Sequence, residues 1–233
     1  LAGLFLIAIL CLMMALSAIV LIPVWPTYWQ ALRIFHLHLN TLGLIGLAAL
    51  GTLPVLLPTA LGLADPQAGV WLRRRLWLVA SGALMVATGA AISWPFAAPG
   101  TALILVASLG LLGQWGRRFG GWPLLRDGVS ASLLAALVGL MITLAAGLLH
   151  GAGLIPTRPS LLAWARGFLM PLVSGALSQL LPVWRWPGPQ TPERLLMRRK
   201  LASSGSVRAG LFLSSSLAFL AELEVLGAGL VAF

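Results

Sequence analysis

Long apolar runs alternate along the whole chain with short basic or proline-rich interruptions. Seven runs stand out, at about 1–22, 34–63, 76–95, 100–115, 128–149, 161–184 and 209–232. A helix rises about 1.5 Å per residue, so about 20 apolar residues cross a hydrocarbon core of about 30 Å. An open strand in lipid would leave backbone groups unpaired, so every run is expected as a helix. The pattern predicts an all-α, polytopic transmembrane bundle of about seven spans, forming a single transmembrane domain over residues 1–233. The run at 100–115 is short, and Pro187–Ser206, polar and basic, reads as a loop. The chain begins at Leu1 inside an apolar run, leaving room for a segment upstream. Residues 1–22 lack a basic leader and exceed a signal peptide's apolar core, so they read as a span.

Composition agrees: 60% of residues are hydrophobic, 9% are charged and mean hydropathy is +1.00. The net charge of +10 is distributed by topology, which argues against a nucleic-acid groove. Twelve Lys and Arg fall in residues 64–75, 116–127 and 185–208, against two, Arg33 and Arg158, in the other connections. The positive-inside rule therefore makes those three loops cytoplasmic, and a bacterial inner membrane is the expected location. The ten tryptophans cluster near span ends, Trp71, Trp77, Trp115, Trp122, Trp184 and Trp186 inside and Trp25, Trp29, Trp94 and Trp164 outside. Each is expected as an interfacial anchor. A lone Cys11 allows no disulfide within the chain and reads as a small packing residue.

The chain also repeats itself. Gly51–Pro58 (GTLPVLLP) and Gly175–Pro182 (GALSQLLP) share the form G-x-L-x-x-L-L-P at an offset of 124. The same offset carries the first span onto the fifth. Repeated spans four apart have one orientation, which predicts a parallel repeat of four-helix units, about 1–124 and 125–233.

Candidate chemistry is sparse. His36 and His38 open the second span and His150 closes the fifth, all on the expected outer side. Residues two apart stand about 200° apart round a helix, so only one of His36 and His38 can face inward. His38 lies deeper, and Asn40 and Thr41 beside it offer hydrogen bonds that would orient a ligating imidazole. His36 and His150 also read as polar interface residues. Glu222 and Glu224 sit in the otherwise uncharged run from Ala209 to Phe233, and Arg166 lies in the outer part of the sixth span. Charges at such depths point to function, or to a terminal helix that emerges early into water. Arg166 could pair with a carboxylate or with an acidic cofactor group.

The second span resembles the second helix of the haem–copper oxidase catalytic-subunit superfamily, particularly its nitric-oxide-reductase-like and NnrS-like branches. The residues carrying the resemblance are His38-Leu-Asn40, then Gly43, Gly46, Gly51, Leu57 and Pro58, and the exit Pro58-x-x-x-Gly62-x-x-Asp65. The resemblance implies repeated four-helix units and a haem ligated near the outer side. His38 is then the ligand, with His150 the first candidate for a second and His36 and Arg166 further cofactor contacts. Haem b is the implied cofactor, with copper ranked below it. The chain has no His-Pro-Glu segment and no His-His pair, and Leu162 stands where the repeat would place an equivalent of His38. The expected function is therefore a haem-binding membrane subunit or redox protein without its own oxygen-reducing copper site. Two other classes stay open. One is a transporter or channel-like protein using Glu222, Glu224 and Arg166, and the other is a cofactor-free structural subunit. Membrane lipids and other subunits of a membrane complex are the expected partners.

Overall fold

The computed structural model describes residues 2–63, 65–221, 229 and 230. It is 87% helical, with no strand among the described residues. Five helices there are long and apolar enough to cross a membrane: Pro26–Ala60, Ala68–Ile92, Trp94–Phe119, Gly128–Gly151 and Thr157–Arg185. The chain is an integral membrane protein. Two shorter helices, α1 (Ala2–Leu21) and α11 (Gly205–Leu220), cover the first run and part of the last. The end of the last run, with Glu222 and Glu224, lies outside the described residues.

Two of the long spans are composite. The first joins a 3₁₀ turn (Pro26–Tyr28), α2 (Trp29–His38), a π-helical segment (Leu39–Gly46) and α3 (Leu47–Ala60). The later one joins α8 (Thr157–Trp164), a second π segment (Ala165–Leu169) and α9 (Met170–Arg185). Between them run α4 (Ala68–Ile92), α5 (Ala97–Phe119), the short α6 (Gly121–Arg126) and α7 (Gly128–Gly151), and α10 (Pro192–Ala202) precedes α11.

Several expectations are corrected here. The short run at 100–115 belongs to a helical stretch of 26 residues, Trp94–Phe119. Pro95 sits in its first turn, and Arg117 and Arg118 continue α5 past the apolar residues, where cations suit the C-terminal end of a helix. Arg73, Arg74 and Arg75 are not in a loop but in the first two turns of α4. The connection 116–127 is largely helical through the end of α5 and all of α6. The stretch read as a plain loop, 187–206, contains α10. Its start is built from Thr191, whose hydroxyl accepts from Arg194 N at 3.3 Å, with Pro192 as first residue and Glu193 in the first turn. Glu193's own amide, then the Thr191 hydroxyl, hold the Glu193 carboxyl below the usual carboxylate range.

The chain divides into two compact units. One comprises residues 1–54, 66–111 and 151–154. In it α1 packs on α2 and on the first π segment, and α4 packs on both of these. Close approach depends on small residues, because lipid supplies no hydrophobic drive to bring helices together. A Cβ on Gly43 would stand 2.9 Å from Cys11 Cβ, so Gly43 is where α1 closes on the second span. Cys11 is buried there, as a small packing residue should be. Trp71 is also buried.

The other unit comprises residues 55–65, 112–150 and 155–233. Here α11 packs along α8, the second π segment and α9. Gly139 of α7 meets the main chain of Gly167, and Gly128 meets Gly205 and Ala202. Ala131, Ala135 and Ala209 form a small buried cluster with Leu213 against it. Ser132 Oγ donates to Gly128 O at 2.8 Å and lies 3.3 Å from Gly205 O. Trp115 is fully buried here, and half-buried Trp164 stands edge-on to Phe168 with ring centroids 5.8 Å apart.

Candidate functional site

The π segments are the local irregularities closest to the candidate residues. A π turn bonds i to i+5 and displaces carbonyls from the regular ladder, an arrangement that recurs at functional sites. In lipid those carbonyls need donors. Thr41 Oγ1 donates to Leu37 O at 2.9 Å and lies 3.2 Å from His38 O, at the entrance to the first segment. At the second, Ser216 Oγ of α11 donates to Ala163 O at 3.0 Å.

His36 and His38 close α2, immediately before the first π segment. Both are half-buried, and their partners differ from expectation. His36 turns toward α1. A carbonyl can only accept, so His36 Nδ1–H donates to Ala15 O at 2.7 Å. Its Nε2 then carries the lone pair and accepts from Asn40 Nδ2 at 3.0 Å. Asn40 therefore serves His36, and the expectation that it orients His38 is corrected. The reason is helical spacing: Asn40 stands four residues from His36 on one face, but only two from His38. Thr41 touches His38 through the main-chain carbonyl alone among the bonds just described.

His38 Nδ1–H donates to Ile34 O of its own helix at 2.9 Å. That bond sets the ring's orientation and tautomer, with the proton on Nδ1 and the lone pair on Nε2. Imidazoles that ligate metals are held in this manner, one ring N–H on a carbonyl. His150, in the last turn of α7, is held likewise, its Nδ1–H donating to Ile155 O at 2.8 Å. His36 and His38 belong to the first unit and His150 to the second. Arg166 lies inside the second π segment, half-buried, and pairs with no other described residue. Among the described residues no three His, Cys, Asp or Glu side chains group as a metal site.

Gly43 and Gly46 lie in close quarters. Gly43 faces Cys11 and Leu39, and a Cβ on Gly46 would stand 3.4 Å from Thr41 O. Leu39, Leu47, Leu50 and Leu53 are fully buried alongside.

Two polar junctions of the second unit escaped the sequence reading. Asp65, with its side chain 1% accessible, pairs with Arg118 at 2.6 Å and accepts from Gln114 Nε2 at 3.2 Å. Arg198 donates through Nε to Gln179 Oε1 at 3.0 Å, through Nη2 to Ala60 O, and lies 3.6 Å from Asp127. Ala60 ends α3, so Arg198 satisfies one of that helix's terminal carbonyls. Asp127 in turn caps α7, accepting from Val129 N at 3.1 Å and Ser130 N at 2.9 Å. The available signal was scarcity: Asp65 and Asp127 are two of five acids facing fifteen bases.

Comparison with protein-family models, with curated proteins and with solved structures finds no match to this chain.

Proposed function

We propose that the chain is a haem-binding membrane subunit or redox protein, with His38 the axial ligand through Nε2. The observation that carries this reading is the His38 Nδ1–Ile34 O bond, which presents the ring in the ligating tautomer at a fixed angle. Ala15 O and Asn40 engage both ring nitrogens of His36, so the reading prefers His38. His150, the second ligand candidate of the sequence reading, has its ring held in the same tautomer by Ile155 O within its own unit. Bound haem b would supply one-electron transfer. The chain's own part is to hold the imidazole and, through the packed leucines and α1, to limit water near it. Copper ranks below haem.

The same proposal includes seven spans and the parallel repeat. Shifted by 124 positions, the first π segment becomes 163–170, which brackets the second at Ala165–Leu169. The start of α4, Ala68, becomes 192, where α10 begins, and Arg74-Arg75 fall on Arg198-Arg199. Gly51–Pro58 and Gly175–Pro182 occupy the last turns of α3 and α9. One feature favours a second reading, a transporter or channel-like protein: Arg166, a cation inside an irregular membrane helix without a described ion-pair partner.

An absorption spectrum of the purified protein tests the proposal. A Soret band with sharp reduced α and β bands is expected, lost or shifted in His38→Ala and largely kept in His36→Ala. A featureless visible spectrum, or a normal low-spin spectrum in His38→Ala, removes the assignment and leaves the transporter and the structural subunit.

A further inference from the structure

We infer that the outward face of α10 is a binding surface for acidic phospholipid headgroups. Its position follows from connectivity. Only residues 186–191 separate it from the end of α9, and only 203–204 separate it from α11. A helix tied so closely to two apolar helices stays at the membrane boundary. Arg198 sets its rotation, reaching Gln179, Ala60 O and Asp127 on the protein side.

At about 100° per residue, Glu193, Leu196, Lys200 and Ser203 stand about 140–160° round the helix from Arg198, with Arg199 on the flank. All five are exposed. Leu196 is 55% exposed, and Trp184 and Val207 on the neighbouring helices are 65% and 67% exposed. An apolar side chain between two cations, with an exposed tryptophan on the adjoining helix, suits the headgroup–acyl boundary rather than bulk water. The cations Arg199 and Lys200 outnumber Glu193, so the complementary surface is anionic. A soluble acidic protein would satisfy the charges but leave Leu196 and Val207 unburied unless it also carried an apolar patch.

Native mass spectrometry of the full chain in detergent, titrated with phosphatidylglycerol or phosphatidylcholine, tests this. The expected result is tighter binding of phosphatidylglycerol, with the preference falling about fivefold for each charge removed in Arg199→Gln/Lys200→Gln. Arg199→Lys/Lys200→Arg should keep it. Both variants change exposed side chains, and an unaltered melting temperature would verify that they fold. Equal affinity for the two lipids would overturn the proposal. So would an unchanged preference in Arg199→Gln/Lys200→Gln, or an equal loss in Arg73→Gln/Arg74→Gln, which alters exposed cations elsewhere.

Discussion

Asp65 shows how much a single enclosed side chain can hold. Its carboxylate, almost entirely enclosed, meets Arg118 at 2.6 Å and Gln114 at 3.2 Å. Asp65→Ala strands both donors, and about 1–3 kcal/mol of stability should be lost. Arg118 keeps about a third of its side-chain surface in solvent, so the lower half of that range is favoured. Thermal unfolding of Asp65→Ala, Arg118→Leu and the double variant checks the coupling. Additive losses would show that the pair contributes little as a pair. At the same scale, helical spacing anticipates that His36 and His38 face apart, and their ring nitrogens take different acceptors, Ala15 O and Ile34 O. Which one turns to α1 depends on Ala15 O, 21 positions away, and no local pattern encodes that acceptor.

Helices here meet through glycine. Gly139 stands against the Gly167 main chain, whereas a Cβ on Gly147, eight residues along the same helix, would meet nothing within 4 Å. Gly139→Ala should therefore lower stability by about 1–3 kcal/mol or more through overpacking. Gly147→Ala should be neutral, or stabilising by up to about 1 kcal/mol through helix propensity. Melting temperatures of the two variants check this, and equal behaviour would deny α7 its asymmetric packing. Helix existence was legible from apolar runs. The extension of α5 to Phe119 was not, because Arg117 and Arg118 look like a boundary although the C-terminal end of a helix favours them. Helix α10 was missed for a related reason: its Thr191-Pro192-Glu193 start is a good helix signal, outweighed by the polar character of its surroundings.

Across the whole chain, the twelve-to-two distribution of basic residues predicts that Arg74 and Gln190 lie on the cytoplasmic side. Single cysteines placed there should resist a membrane-impermeant thiol reagent in intact cells and react after permeabilisation. Labelling of both from outside would reverse the orientation. Length and hydropathy sufficed to establish a helical membrane protein, because lipid leaves the backbone few alternatives and about 20 apolar residues are needed to cross it. They could not establish which helices touch, since apolar side chains are nearly equivalent in lipid and packing is selected by small residues and hydrogen bonds. The closure of Gly43 on Cys11, the tethering of His36, the enclosure of Asp65 and the reach of Arg198 to the end of α3 each join positions far apart in the chain. Such contacts exist only once the helices are assembled, because each needs a partner whose place is set by the packing of the others.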